Sequence, residues 1–182
     1  AAVEKEFAEA PKGTIEVDAR ELARITSYFA PPAWETLAAF VPEIEEKKLA
    51  DREFRQWLAA NTAAHKVPGY TIVNASFKPT GGIPGDATSG QMRAVAALAD
   101  KYSFGEVRVT HAQNLTLPHV RTSDLIEVWG ELKVQGLAEA NIGLIGDIIS
   151  CPGLDYCALA TARSIPVAQE ISTRFADIRK QH

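Results

Sequence analysis

The order of apolar patterns between residues 66 and 150 constrains the fold more than any other feature of this chain. Residues 70–78 alternate between two sets of side chains, with Val73, Ala75 and Phe77 on one side, which predicts a strand. Thr88, followed three residues later by Gln91, predicts the capped start of a helix. The other predicted elements are strands at 106–110 and 115–120, a helix from Thr122 to Gly136 and a strand at 143–149. This β-α-β-β-α-β order predicts an α+β domain of the ferredoxin-like type.

The segments that flank this domain have helical spacing. We predict helices at 19–28, 33–40, 51–61 and 158–163, and a last amphipathic helix after Pro166. A short strand is expected at 13–17, and the charged run 43–48 is expected to be a solvated surface. The predicted domains are a helical connecting arm at 1–65, the ferredoxin-like half-domain at 66–150, and the start of a further lobe at 151–182.

The composition excludes several classes of protein. Apolar residues make up 46% of the chain and charged residues 23%, as in ordinary soluble globular proteins. A net charge of −4 argues against a general nucleic-acid binder, which would be basic. No apolar stretch approaches the length of a membrane span, and residues 1–10 lack the apolar core of a signal peptide. We therefore expect no nucleic-acid or membrane partner and a cytoplasmic location.

Two cysteines, Cys151 and Cys157, lie in the run CPGLDYC. Such a pair can be two buried thiols or an incidental disulfide, because cysteine is among the most buried residue types. It can also be half of a site for zinc, copper(I) or an iron–sulfur cluster. Zinc half-sites usually have closer cysteines, whereas five intervening residues allow a loop to wrap one corner of a larger cluster. A four-cysteine site would need two more thiolates.

A second group of polar residues lies where two predicted strands meet: Arg108, Thr110, His111, Gln113 and Asn114. Arginine pairs with carboxylates bidentately, and the two amides offer donors and acceptors, so the group can bind a polyanionic ligand. The alternative is a polar turn with an exposed arginine. A third group, with His65 and Lys66 before the first strand and Lys78 at its end, is expected to be surface charge.

Taken together, these residues resemble the nitrite/sulfite reductase haemoproteins, which carry sirohaem coupled to a 4Fe-4S cluster. The matching runs are HKVPGY at 65–70, GGIPGDAT at 81–88, RVTHAQNL at 108–115 and DIISCPGLDYCALA at 147–160. The resemblance covers residues 66 to the end, and its most specific parts are the arginine and cysteine runs. It implies the second ferredoxin-like half-domain of such an enzyme and the start of its cluster-binding lobe.

The resemblance also implies a function for the candidate residues. The family reduces sulfite to sulfide or nitrite to ammonia in a six-electron reaction, with electrons from ferredoxin or a flavoprotein. It implies that Cys151 and Cys157 are metal ligands of the 4Fe-4S cluster, completed by a later pair of cysteines. It implies that the polar group, His111 included, lies beside sirohaem. The partners it implies are the electron donor and the remainder of the parent reductase.

The ends of the sequence lead us to expect an incomplete enzyme. The chain begins with Ala1, contains a single methionine, Met92, and reaches His182 before a second cysteine pair. We therefore expect a fragment that is inactive and binds neither cofactor by itself. One alternative is a stand-alone, non-catalytic ferredoxin-like binding module. Another is a thiol redox protein, although the Cys-x₅-Cys spacing lacks the tight geometry that lowers a thiol pKa.

Overall fold

The computed structural model describes residues 2–9 and 17–176 of the chain. The contacts within it divide the chain into two units, Ala1–Trp34 and Glu35–His182. The candidate functional residues all belong to the second unit.

The first unit contains two helices, α1 at Ala2–Glu9 and α2 at Ala19–Ser27. Asp18 caps α2, because its carboxylate accepts a hydrogen bond from the backbone N–H of Glu21 at 2.9 Å. The helix predicted at 19–28 is therefore confirmed. The strand predicted at 13–17 lies, apart from Val17, outside the described residues.

The second unit is built around a four-stranded sheet. Its elements in chain order are α3 (Pro42–Ala50), α4 (Arg52–Asn61), β1 (Thr62–Ala64), β2 (Tyr70–Ala75), α5 (Ser89–Tyr102), β3 (Arg108–Val109), β4 (Leu115–Arg121), α6 (Leu125–Val134) and α7 (Ile165–Arg174). The strands lie in the order β1-β2-β4-β3, and every neighbouring pair is antiparallel. The predicted α+β, ferredoxin-like class is therefore confirmed.

The core of this unit lies between one face of the sheet and helices α4, α5 and α6. Its fully buried side chains include Phe54, Trp57, Val73, Ala75, Leu98, Leu117, Val120, Val128 and Leu132. Each large apolar side chain buried in this way contributes roughly 1.5–3 kcal/mol to the hydrophobic stabilisation. Because Phe54 and Trp57 belong to α4, that helix packs into the same core as the sheet. The predicted domain boundaries at 65 and 150 stay predictions.

Helix α5 begins at the predicted cap. Thr88 Oγ1 accepts from the Gln91 N–H at 3.1 Å, and Gln91 Oε1 accepts from the Thr88 N–H at 3.0 Å. The helical spacing predicts an apolar inner face of Met92, Val95, Ala96, Ala99 and Tyr102, but the buried residues are Val95, Leu98 and Ala99, and Met92 is 48% exposed. For α6 the spacing predicts an inner face of Leu125, Val128, Trp129 and Leu132, and all four are buried.

The strand predicted at 143–149 is wrong, because that segment forms turns and irregular backbone. The sheet edge beside β2 is occupied instead by β1, which forms a hairpin with β2. Asp147 explains why the segment cannot run straight. Its carboxylate accepts from the Gly143 N–H at 3.0 Å and pairs with the ammonium of Lys78 at 3.1 Å, which ties the segment into a loop.

Two other predicted helices are also wrong. Residues 33–40 are not helical. Within this segment the Glu35 N–H donates to the hydroxyl of Tyr70 at 3.1 Å, a long-range contact that holds the chain in a non-helical path. Residues 158–163 form turns and bends instead of the predicted helix. The helical segment of this loop is a short 3₁₀ turn that lies earlier, at Gly153–Asp155. The charged run at 43–48 lies within α3 and is solvated only in part, because Ile44 is buried and only Glu43 and Glu46 are exposed.

Candidate functional site

The loop that carries the two cysteines has a shape set by its backbone. Neither thiol is in a disulfide, Cys151 is exposed and Cys157 is partly exposed. The Gly153 carbonyl accepts from the Cys157 N–H at 2.8 Å and closes the turn. Gly153 has φ of +58°, and a Cβ there would lie 2.6 Å from the carbonyl oxygen of Ala162. Only glycine fits this position without moving the backbone, and the thiols therefore project from a constrained turn.

Side chains fix the backbone on the N-terminal side of this loop. The Cys151 carbonyl accepts from the hydroxyls of Ser164 at 2.5 Å and of Ser150 at 3.1 Å. The Gln113 amide binds the peptide groups of Ser150 on both sides, donating to its carbonyl at 2.9 Å and accepting from its N–H at 3.1 Å. Gln113 thus joins the turn between β3 and β4 to the residue that precedes Cys151.

Three sequence motifs meet at this point. Gly85 lies against Gln113 so closely that a Cβ on the glycine would be 2.8 Å from the Gln113 Cβ. A cleft of about 300 Å³ lies between the motifs, and its lining residues are Ile83, Pro84, Gly85, Asp86, Gln113, Ser150, Pro152, Tyr156 and Ile165. The glycine loop, the polar hairpin and the cysteine loop, which are separate in the sequence, therefore share one cleft.

Asn114 belongs to a buried network instead of the surface. It is 3% exposed, its Oδ1 accepts from the Phe77 N–H at 2.9 Å, and its Nδ2 donates to Asp147 at 2.8 Å. Asp147 also pairs with Lys78, which is 2% exposed. The prediction that Lys78 is a surface charge is therefore wrong. The Asn114 amide is committed to neighbouring protein groups.

Arg108, Thr110 and His111, which also belong to the predicted polar group, are exposed or partly exposed. Arg108 is exposed and its Nε donates to Glu106 at 2.6 Å, which leaves its two terminal nitrogens for a ligand. Thr110 Oγ1 accepts from the Asn114 N–H at 3.1 Å and keeps its own hydrogen to donate. His111 is exposed. The amides of Gln113 and Asn114 are already hydrogen-bonded to the protein. A ligand could therefore be bound by the other three side chains of the group more readily than by these two.

The cysteine loop has the chemistry of half an iron–sulfur site. Thiolates are the ligands that hold 4Fe-4S clusters, and both thiols here are accessible and unpaired in disulfides. Among residues 2–9 and 17–176, no group of three or more His, Cys, Asp or Glu side chains is arranged to hold a metal ion. The two accessible thiols can therefore supply two of the four ligands that such a cluster takes. Sirohaem carries carboxylates, and the exposed guanidinium of Arg108 is a group that can pair with them.

A histidine cluster at the other end of β4 was missed by the sequence analysis. His65 Nε2 lies 3.2 Å from His119 Nδ1, and His119 Nε2 lies 3.0 Å from a Glu106 carboxylate oxygen. A bulge in β4 places His119 there, since Thr71 faces Val120 while Val73 faces Leu117. The extra residue accommodates Pro118, which has no N–H to give the ladder. In the sequence, the proline inside a predicted strand, directly before His119, was the sign that a bulge could turn this histidine toward other residues.

The environment of this cluster shifts two pKa values. Burial lowers the pKa of His119 below its ordinary value, although the hydrogen bond to Glu106 offsets part of the effect. For Glu106, burial acts to raise the pKa, but the bonds from Arg108 and His119 outweigh it and the pKa is lowered. The cluster therefore favours a neutral imidazole beside an ionised carboxylate.

The fold and the loop define a ferredoxin-like half-domain that leads into a loop with two cysteine thiols. Residues 80–135 match the family described as the nitrite/sulfite reductase ferredoxin-like half domain. The match places this part of the chain in the nitrite/sulfite reductase family, whose members bind sirohaem and a 4Fe-4S cluster.

Relatives with established names agree with this assignment. The chain is 34% identical over 98 residues to the chloroplastic ferredoxin–nitrite reductase of Zea mays, covering 50% of this chain and 17% of that protein. It is 31% identical over 139 residues to the ferredoxin–nitrite reductase of Synechococcus elongatus, covering 74% and 25%. It is 26% identical over 149 residues to the NAD(P)H nitrite reductase of Emericella nidulans, covering 80% and 13%. The chain thus spans a quarter or less of each relative's length.

Membrane insertion through a helix finds no support in the part of the chain that the structure describes. None of its helices combines the length and the apolar character that a bilayer crossing requires.

Proposed function

We propose that this chain is the part of a nitrite or sulfite reductase that supplies two ligands of the 4Fe-4S cluster and one wall of the sirohaem site. Cys151 and Cys157 are the proposed cluster ligands. Arg108, Thr110 and His111 are proposed to face sirohaem, and Gln113 and Asn114 support that surface from behind. The bond between Gln113 and Ser150 carries the proposal, because it brings the polar hairpin and the cysteine loop to one cleft.

The names of the relatives favour nitrite as the substrate. Six electrons would reduce nitrite to ammonia, and the corresponding reaction of sulfite gives sulfide. Two of the relatives named above are called ferredoxin-dependent and one NAD(P)H-dependent. We propose ferredoxin as the electron donor, with a flavoprotein as the alternative.

The bound cofactors would supply electron transfer and an iron atom for the substrate, and the chain's own residues would hold and orient them. The serine hydroxyls that bind the Cys151 carbonyl hold the backbone from which its thiol projects. The two terminal nitrogens of Arg108 can pair with a carboxylate, because only its Nε is occupied by Glu106. The Thr110 hydroxyl can donate to a second oxygen.

We also propose that the 182 residues are not a competent reductase by themselves. A 4Fe-4S cluster held by cysteines takes four thiolates, and this sequence has two cysteines. The other ligands must then come from another part of the parent reductase, which makes that part the obligatory partner of this chain.

The central experiment replaces one cysteine in a complete reductase that contains this sequence. Cys151→Ser is expected to abolish the cluster's visible absorbance and the six-electron activity, because serine is a much poorer ligand for iron in such clusters. Ser123→Ala, a change of an exposed residue beyond the end of β4 opposite the polar hairpin, serves as the control and should leave both unchanged. An unaltered visible spectrum in Cys151→Ser would remove this residue from the ligand set.

The purified 182-residue chain is the companion sample. After anaerobic incubation with iron and sulfide it should remain colourless, with less than one equivalent of bound iron. Stoichiometric iron and sulfide on this chain would contradict the claim that it needs a partner. A chain that stays colourless, together with a complete reductase indifferent to Cys151→Ser, would favour a stand-alone binding module.

A further inference from the structure

The Gln113 side chain uses both ends of its amide on one neighbour, the Ser150 backbone. Such a two-point contact fixes the position and the rotation of the bound segment, whereas one hydrogen bond would leave the rotation free. We infer that Gln113 is a positioning residue for Cys151, which holds the two thiols in a preformed half-site before any metal arrives. This inference rests on the proposed function, in which the thiols are cluster ligands.

The backbone of Gln113 supports this role. Its φ is +57°, a left-handed conformation that is unusual for a residue with a side chain. Gly85 lies directly against it, since a Cβ on the glycine would come within 2.8 Å of the Gln113 Cβ. The left-handed backbone closes the turn between β3 and β4, and the close glycine leaves room for the Gln113 side chain to reach Ser150.

The contacts of the loop extend the effect to both thiols. Ser150 is 6% exposed, and the next carbonyl, that of Cys151, is held by two hydroxyls. The Cys157 N–H is held by the Gly153 carbonyl. With the backbone fixed on both sides, each thiol retains mainly its staggered side-chain rotamers. A metal that binds both thiols therefore has little chain left to order, which raises its affinity.

Cadmium is a suitable probe, because it is a soft ion that prefers thiolates and the chain has only two cysteines. Cadmium would be titrated into the reduced 182-residue chain and followed by the ultraviolet absorbance of the metal–thiolate bonds. We expect one ion per chain with both thiols bound. Gln113→Met, which keeps the length of the side chain but removes both hydrogen bonds, should weaken the affinity about tenfold.

A second measurement follows the hydrogen bonds themselves. The exchange rate of the Ser150 amide proton should rise at least about tenfold in Gln113→Met. Gln113→Glu retains an acceptor for that amide, so its Ser150 proton should stay protected. Ser123→Ala changes an exposed side chain beyond the opposite end of β4 and should alter neither the exchange rate nor the cadmium affinity. If Gln113 only filled space, the exchange rate of the Ser150 amide would not depend on whether the side chain at position 113 carries a hydrogen-bond acceptor.

Several results would overturn the inference. One is a cadmium affinity of Gln113→Met that equals the affinity of the unaltered chain. Another is an unchanged exchange rate of the Ser150 amide in Gln113→Met. A third is a cadmium affinity of Cys157→Ser that equals the affinity of the unaltered chain, because the two thiols would then not bind the ion together. If Gln113→Met does not fold, Gln113→Asn replaces it. Asparagine tolerates left-handed backbone but is one methylene too short to reach Ser150, so the same loss is expected. Cys151→Ser in the complete reductase tests the ligand assignment separately, so either claim can fail alone.

Discussion

Two polar networks lie at opposite ends of β4, and they differ in the kind of charge that they bury. At the beginning, Asn114 joins an ion pair between Lys78 and Asp147, in which both partners are almost fully buried. Toward the end, His119 links His65 to Glu106, which is partly exposed. The first network closes off an ammonium, whereas the second is built on imidazoles, the side chains that titrate between about pH 5 and 8. We therefore expect the stability to fall most when the first network loses one of its charges, and to depend on pH through the second network.

The largest expected effect follows from removing one partner of the buried pair. Asp147→Ala leaves the Lys78 ammonium without its carboxylate and should lower the free energy of unfolding by about 3–5 kcal/mol, measured by urea titration. The double variant with Lys78→Met should recover a large part of the loss, because it removes the uncompensated charge. Glu131→Gln, which breaks the exposed pair with Lys101, is the matched control. If Asp147→Ala lowers the free energy of unfolding no more than this control does, the buried pair does not contribute to stability in the way proposed.

The pH dependence should come from the other network. Because the pKa of His119 is lower in the folded state, the unfolded chain binds a proton more readily. The stability is therefore complete above the unfolded value of about 6.5 and falls as the pH drops through it. Urea titrations between pH 5 and 8 should show this slope, and His119→Phe should flatten it. The lowered pKa of Glu106 acts in the same direction, but only at more acidic pH, below its ordinary value of 4.5. A slope that survives in His119→Phe would assign it to another group.

The smallest effect on stability is expected from Arg108→Ala. This arginine is exposed, so the loss of its pair with Glu106 should cost at most about 1 kcal/mol. The pKa of His119 should nevertheless rise, because the positive charge of Arg108 contributes to lowering it. NMR titration of the imidazole protons measures this rise directly. A pKa of His119 that stays fixed would show that the arginine acts only on Glu106.

The parts of the fold that were predictable are those with local signals. The cap at Thr88 and Gln91, the inner face of α6 and the position of β2 each depend on spacing within one element. The edge strand was not predictable in the same way. Residues 143–149 have enough β-forming character for a strand, but the ion pair between Asp147 and Lys78 joins residues 69 positions apart and decides the outcome. Such a long-range contact leaves no mark on the spacing of either segment.

The candidate site shows the same division. The cysteine run and the polar hairpin were recognisable because their residue types and order resemble a family. The role of each amide was not, since an exposed Gln113 and one bound to Ser150 have the same sequence. The assignment of Arg108, Thr110, His111, Gln113, Asn114, Cys151 and Cys157 to cofactors stays a prediction. What the structure adds is the division between side chains open to a ligand and side chains already engaged by the protein.

The hairpin of β1 and β2 has a consequence for the order of folding. All four strands lie within residues 62–121, so the sheet closes without any contribution from the chain after β4. Contacts between residues near in sequence form faster than distant ones, because less chain entropy is lost in closing the intervening loop. On a ribosome, the strand pairing can therefore be established before the cysteines leave the exit tunnel, whereas the core is completed only when α6 and Asp147 pack against the sheet. The thiol loop would join the sheet last, and insertion of the proposed cluster would come later still.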